Sequence, residues 1–279
     1  MSWDQLLEPG VVVRDSPLET ERFGYSTTRL TIGPGPVDAG RLLATIEGLA
    51  ADLVVVRYDA ARLELAGVFA RSGRAVLPAG ALTYWEKPLA VAEPSRPTPP
   101  PGIEVLTADT MDAEVVSALV QEIVRASFQD YGNHYLANPL LDPSAALAGY
   151  QDWAVRSLHA NPGNVLVLTD RREPIGLATL ESGADAGHLE ILLAGLVPAA
   201  QGRRLYGSLL DGCERLAAAR GARRMVISTQ VHNVRVQRAW ARQGLRPFAA
   251  IETVHLLDRA LLLASPGKAT DVRCRGVTC

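Results

Sequence analysis

Two hydrophobic periods alternate along residues 103–258. Between 112 and 128, Val115, Val116, Leu119, Val120, Ile123 and Val124 recur at helical spacing and predict an amphipathic helix. Asp142-Pro-Ser opens a second helix that runs to about Ala160, with Asp142 or Ser144 as its cap. Ile103–Leu106, Val165–Thr169, Pro174–Leu180 and His188–Leu196 are short apolar runs that predict strands, the second and third joined by the turn DRRE. Gly202–Arg220 reads as a helix closed at Gly221. A strand at Met225–Thr229, a helix at Val234–Gln243 stopped by Gly244, and a strand at Phe248–Leu257 complete the series. The order β-α-α-β-β-β-α-β-α-β predicts an α/β fold: a mixed, largely antiparallel sheet flanked by helices.

The first ninety residues carry a shorter version of the same pattern. Strands are expected near Gly10–Val13, Tyr25–Ile32, Leu53–Arg57 and Leu82–Pro88, with helices near Val37–Leu49 and Ala60–Arg71. Setting Val55 against Val226 pairs VVRYDAARLELAGVFARSG with VISTQVHNVRVQRAWARQG. Only four of 19 positions are identical, but strand, turn, helix and closing glycine fall in register. The first part therefore reads as a degenerate half-copy of the second. Between them lies EPSRPTPPP, Glu93 to Pro101, whose prolines fix φ and remove amide donors, so it predicts a semi-rigid spacer. The expected division is a partial α/β domain at 1–92, a linker at 93–102, a larger domain at 103–264 and a flexible tail at 265–279.

Composition narrows the class. A formal net charge of −2 gives no global positive field for nucleic acid. Cys213, Cys274 and Cys279 make no disulfide framework, and no metal-ligand pattern stands out. The opening MSWDQLLEPG lacks the features of a signal peptide, and no apolar run reaches membrane-spanning length. A cytoplasmic protein without membrane partners is the expectation.

Candidate chemistry concentrates between Gly187 and Gly244. A strand leads through a tight loop into a helix that begins QGRRLYG. Open amides and the dipole at a helix N-terminus suit an anion such as a pyrophosphate, and Arg203 and Arg204 add charge there. An ordinary strand-loop-helix with a basic start is the plain alternative.

This segment, and nearly all of residues 103–258, resembles the GNAT superfamily of acyl-CoA N-acyltransferases. That family's pyrophosphate loop has the pattern Q/R-x-x-G-x-G/A. Gln201-Gly202-Arg203-Arg204-Leu205-Tyr206 is similar at Gln201, with Arg204 for the first glycine and Tyr206 for the second small residue. The resemblance implies acetyl-CoA or another acyl-CoA as co-substrate, with no metal. It is held along Leu196, Gln201, Gly202, Arg203, Arg204, Leu205, Tyr206 and Gly207, and by Asn233 and Trp240 on the following helix. LEILLAGL is similar to the strand where family members keep a glutamate base. This makes Glu190 the expected general base, with His188 its rival on the same face and a solvated strand-end carboxylate the alternative. Trp240 stands where the family often has a tyrosine acid; an indole N–H is a donor but no useful acid, so packing is its expected role, and the alternatives are a thiolate that leaves unassisted or a nearby Tyr206.

The stretch SFQDYGNHYLANPLLD, Ser127 to Asp142, corresponds to the family's acceptor-covering connection. Asp130, Tyr131, Asn133, His134 and Tyr135 are its candidate substrate contacts, a capped surface loop being the alternative. The layout of a partial domain bearing FGYSTTRL and DLVVVRY before a full one resembles the dTDP-fucosamine acetyltransferase family. This implies a small-molecule amine acceptor, an amino sugar or nucleotide-linked amino sugar. The first domain has no pyrophosphate loop, and Arg62 is its counterpart of Asn233, so it is expected to bind no CoA. Acylation of another small amine, such as an amino acid or natural-product intermediate, stays open. So do protein acetylation, a non-catalytic acyl-CoA-binding regulatory module, and a homodimer.

Overall fold

The computed structural model describes residues 2–89, 99–129, 132–184 and 187–264. Residues 93–98 of the expected linker, the expected tail at 265–279, and Asp130 and Tyr131 lie outside the described residues. Among the described residues no helix is long and apolar enough to cross a membrane.

The strands are β1 (Val11–Asp15), β2 (Thr27–Ile32), β3 (Leu53–Asp59), β4 (Ala75–Pro88), β5 (Ile103–Thr107), β6 (Val165–Asp170), β7 (Glu173–Ser182), β8 (His188–Leu196), β9 (Arg224–Gln230) and β10 (Arg246–Leu257). They form one ten-stranded sheet in the order β1-β2-β3-β10-β4-β9-β8-β7-β6-β5. Among the described residues only β2 with β3 and β8 with β9 run parallel. The mixed, largely antiparallel sheet expected from the sequence is present.

The halves either side of the proline-rich segment interlock. β10, the last strand of the chain, lies between β3 and β4, while β4 lies between β10 and β9. The sheet is quasi-symmetric about the β4–β10 pair: β3 mirrors β9, β2 mirrors β8 and β1 mirrors β7. Helices α4 (Leu65–Arg71) and α8 (Val234–Arg242) follow β3 and β9 in the matching places. These are the elements paired by the Val55–Val226 alignment.

The sheet's strict alternation gives its two faces different coats. On one face α7 (Leu205–Ala219) packs on Leu166, Leu168, Leu189, Ile191, Met225 and Ile227. Farther along that face α3 (Ala39–Glu47) and α4 cover Leu30, Ile32, Val54 and Val56. The opposite face takes α5 (Ala113–Phe128) and α6 (Pro143–Ala160) on Val165, Val167, Leu177 and Leu193.

Three local departures from the sequence expectation bear on the site. Helices α1 (Trp3–Leu6) and α2 (Pro17–Phe23) were unexpected; both are short, and Ser16 precedes Pro17 at the N1 position of α2. Strand β4 runs fourteen residues from Ala75 rather than starting at Leu82, because a bulge and Gly80 at φ 89° carry it past Pro78. Helix α7 starts at Leu205 instead of Gly202, since Gly202 and Arg204 take left-handed φ values of 78° and 62°.

Candidate functional site

Strands β8 and β9 pair only from His188–Ile191 to Arg224–Ile227. Past that point they share no ladder, and the sheet opens between them. A cavity of about 930 Å³ occupies the opening and extends over the face that carries α5 and α6.

One end of the cavity is lined by Leu192–Leu196, Gln201, Gly202, Arg204, Leu205 and Tyr206, and by Asn233, Arg235, Trp240 and Arg242 of the α8 segment. Strand β8 feeds a tight turn held by Gln201, whose amide donates to the Leu196 carbonyl at 3.0 Å and whose oxygen accepts from Arg235 at 3.1 Å. Arg204 then takes the N-cap place of α7, leaving the helix's first amides at the cavity edge. Asn233 caps α8, accepting from Val236 N–H and donating to Thr229 Oγ1 at 3.0 Å. Trp240 is 1% exposed and lies edge-on to Trp85, and its Nε1 donates to the Tyr206 hydroxyl at 3.3 Å. Gly195 brings β8 so close to α5 that a Cβ there would sit 2.8 Å from Ser127 Cβ. Ser127 Oγ is buried at this wall with no hydrogen-bond partner among the described residues.

Two expected donor-side residues are turned elsewhere. Arg203 does not line the cavity and pairs with Asp170 at 2.7 Å. Gly207 packs against Gln243, where a Cβ would meet its amide at 2.7 Å.

Glu190 and His188 are also outside the lining. Both point to the α5 side of the sheet and are 3% exposed, covered by α1. The Glu190 carboxylate accepts from Trp3 N–H at 2.6 Å, and His188 Nε2 lies 3.7 Å from Asp4. Burial pushes the Glu190 carboxyl up to about 7, against the opposing Trp3 hydrogen bond. Tyr84 does line the cavity; burial and then the Glu190 charge raise its pKa, while Arg57 opposes.

The far wall is built by the N-terminal half and by the segment before α6. It comprises Glu19 and Arg22 of α2, Arg29 of β2, Arg57 of β3, and His134 and Tyr135 of the 3-10 turn His134–Ala137. Glu19 pairs with Arg29 at 2.8 Å and accepts the Tyr135 hydroxyl. Burial raises the Glu19 carboxyl, but Arg29, Ser16 and Tyr135 outweigh it and hold it at about 2. His134 Nδ1 meets His255 Nε2 at 2.9 Å, and Asn138 Nδ2 meets His255 Nδ1 at 3.4 Å. Burial, then Arg57, holds both imidazoles neutral, His255 at about 4 and His134 well below the ordinary imidazole range. The tautomers follow. Asn138 Oδ1 accepts from Leu140 N–H, so its Nδ2 donates to His255 Nδ1; His255 then donates through Nε2 to His134 Nδ1. His134 is left with an Nε2–H, a donor rather than a base. Asn133 caps the turn through Tyr135 N–H and does not reach the cavity.

Glu19, Arg22, Arg29, Arg57 and Tyr84 were not singled out in the sequence. The available signal was a lone arginine inside an apolar strand, in TTRLTI and in LVVVRYD.

The model of the acetyltransferase (GNAT) family matches residues 118–245, which include α6, the β6–β8 strands, the split pair and both helices of the donor end. The fold is the GNAT fold. Solved structures share it over most of their length. A GCN5-related N-acetyltransferase from Sphaerobacter thermophilus is similar at TM-score 0.61 and 15% identity, over 88% of this chain and 76% of its own. Another from Kribbella flavida gives 0.54 and 16%, over 84% and 81%. A tandem GNAT protein from the clavulanic acid biosynthesis pathway gives 0.52 and 15%, over 89% and 84%. At these identities the likeness is one of fold. No curated protein matches the chain in sequence. GNAT members use acetyl-CoA, and the donor end fits that molecule. It has an open helix N-terminus, three lining arginines, a split in the sheet and an unsatisfied buried hydroxyl at Ser127.

Proposed function

We propose that this protein of GNAT fold transfers an acetyl or other acyl group from acyl-CoA to a primary amine of a small molecule, an amino sugar or nucleotide-linked amino sugar being the leading acceptor class. The observation that carries the reading is the single cavity that joins the β8–β9 split to a polar wall on the opposite half. Arg204, Arg235, Arg242 and the first amides of α7 would hold the phosphates of the donor. The polar wall, with His134 as a hydrogen-bond donor, supports an oxygen-rich acceptor. Acyl-CoA supplies the thioester carbon that the amine attacks.

An ammonium must first lose a proton. Glu190 is the favoured acceptor, because a carboxyl with pKa near 7 is half ionised at neutral pH. Its oxygens face Trp3; Tyr84, which feels the Glu190 charge and lines the cavity, is the group through which the proton would pass. Tyr206, anchored by Trp240 and lining the same end of the cavity, would protonate the departing thiolate. A second reading, a non-catalytic acyl-CoA-binding module, is favoured by one observation: the α1 cover over Glu190.

Calorimetric titration with acetyl-CoA, propionyl-CoA and free CoA, followed by thiol release with amino sugars, tests the assignment. Micromolar binding plus amine-dependent thiol release supports the transferase. Binding without release under any amine favours the sensor reading, and no binding removes both.

A further inference from the structure

Two buried polar side chains stand behind the far wall without lining the cavity: Asn138, 1% exposed, and His255, fully buried. His255 lies on β10, where its ladder partners are Val55 of β3 and Leu77 of β4. Asn138 precedes Leu140 and Leu141, and all four of these apolar residues belong to one cluster. An apolar pair would suit such a place, because replacing both members of a buried hydrogen-bonded pair by apolar groups of the same shape is nearly neutral for stability. Stability alone therefore does not explain an amide and an imidazole here.

Their hydrogen bonds run in one direction. Asn138 Oδ1 accepts from Leu140 N–H at 3.1 Å, which leaves the amide Nδ2, a donor only, facing His255 Nδ1 at 3.4 Å. His255 must present a lone pair there and keep its proton on Nε2, 2.9 Å from His134 Nδ1. The His134 proton is thereby placed on Nε2, the nitrogen that His255 does not engage, on a side chain that does line the cavity. The reverse chain would turn His255 Nδ1–H against the Asn138 N–H, donor against donor. Neither ring carries a charge that would blur the choice, since burial and Arg57 keep both neutral.

We propose that Asn138 and His255 are positioning residues that lock His134 as a one-way N–H donor, and that this donor takes a hydroxyl or carbonyl oxygen of the acceptor and turns its amine away, toward the β8–β9 split. The inference rests on reading this end of the cavity as the acceptor end. An unlocked neutral imidazole offers a cavity either an N–H or a lone pair, so it could hold an oxygen or an amine, and the acceptor could enter in either sense. The locked ring offers only the N–H. It repels the N–H groups of an amine or ammonium and attracts an oxygen lone pair, so a single orientation of the acceptor is left. Asn138 and His255 thus act on specificity without touching the acceptor, which is why polar groups sit behind the wall.

The test is proton–nitrogen correlation spectroscopy of the histidine rings in the full chain, which tells an Nε2–H ring from an Nδ1–H ring. Wild-type His134 is expected as the Nε2–H tautomer. Asn138→Leu is expected to mix the two tautomers at His134, and His255→Phe to do the same should Asn138→Leu melt early. Glucosamine, titrated to millimolar concentration in the presence of CoA, is expected to shift the His134 Nε2 resonance. Cyclohexylamine, a ring amine without oxygens, is expected to leave it in place. Glucosamine affinity should fall about threefold to tenfold in His134→Phe. In Asn138→Leu it should fall in proportion to the Nε2–H population lost, a link that a merely structural role would not produce. An Nδ1–H ring in wild type, or an unchanged single tautomer in either folded variant, overturns the lock. A resonance that answers neither probe, or both alike, overturns the oxygen contact. If acyl transfer fails with every amine while these signals hold, the transferase reading falls and the lock stands.

Discussion

Arg204 occupies a backbone conformation that glycine adopts freely and other residues adopt at a cost of about 1–2 kcal/mol. The GNAT loop pattern has glycine at this place, and the φ of 62° is the physical reason. Arg204→Gly is therefore expected to raise thermal stability by about 1 kcal/mol, or roughly 2–4 °C in Tm, while removing one lining cation. An unchanged or lower melting temperature would show that the guanidinium earns its place by contacts that outweigh the strain. Glu190 makes a second prediction through its raised pKa. The folded protein keeps that proton up to about pH 7, whereas the unfolded chain releases it near the ordinary 4.5. Its contribution to stability is thus full below 4.5 and is lost as pH rises to 7, up to about 3 kcal/mol. Relative to wild type, Glu190→Gln should gain stability between pH 5 and 8, as read from melting curves. Turnover should move the opposite way, with an acid limb near pH 7 in wild-type kcat/KM that the variant lacks. Glu19 behaves inversely: held at about 2, it adds stability above 4.5 that is lost as pH falls toward 2. Little of this was legible in the sequence. Glu190 stands out in LEILLAGL, but the helix that covers it is 187 residues away along the chain. A burial made by so distant a segment leaves no local pattern.

Element by element, the difference between the two halves of the sheet lies in how far their parallel strands stay paired. β8 and β9 share four ladder positions and then part, while β2 and β3 stay in register for all six residues from Thr27 to Ile32. Without a split, the N-terminal half has no slot for a pantetheine arm. One acetyl-CoA per chain is the expected calorimetric stoichiometry, and a value of two would mean that β2 and β3 open in solution. Helix α1 gives the other prediction at this scale. Trp3 is 8% exposed and packs on Tyr84 and Phe248, so Trp3→Ala removes about 3–5 kcal/mol of packing. It also lets water reach Glu190. The acid limb of kcat/KM should then move below pH 7 toward 4.5, and a limb that stays at 7 would detach the helix from the base. Strands and helices of the C-terminal half were legible because their periods are local. The split was not, because a strand's period shows which residues face which way and is silent on where its ladder ends. The same limit hid α1 and α2, whose four and seven residues are too few for a helical period.

At the scale of the whole molecule, the Val55–Val226 repeat was visible in the chain, but the exchange of strands built on it was not. Both halves end in a long strand, β4 and β10, and each strand inserts beside the parallel pair of the other half. Antiparallel partners separated by some 170 residues are chosen by the packed sheet, and nothing within either strand names its partner. The consequence for stability is direct. Removing residues 1–89 would expose one long edge of β9 and leave β10 without either neighbour; removing 103–264 would strip β4 in the same way. Two independent domains joined by a spacer would unfold in two steps, each with its own midpoint. Interlocked halves share their central pair of strands, so neither can melt alone. A single calorimetric transition is therefore expected, with a van't Hoff enthalpy equal to the calorimetric one and the same midpoint by tryptophan fluorescence and far-UV circular dichroism. Two separated transitions, or a soluble folded fragment of residues 103–264, would mean that the halves are held by contacts weaker than the β4–β10 pairing demands. Cooperativity also bears on function: the far wall that carries Arg29 on β2 and Arg57 on β3 keeps its distance from the β8–β9 split only while one continuous sheet connects them.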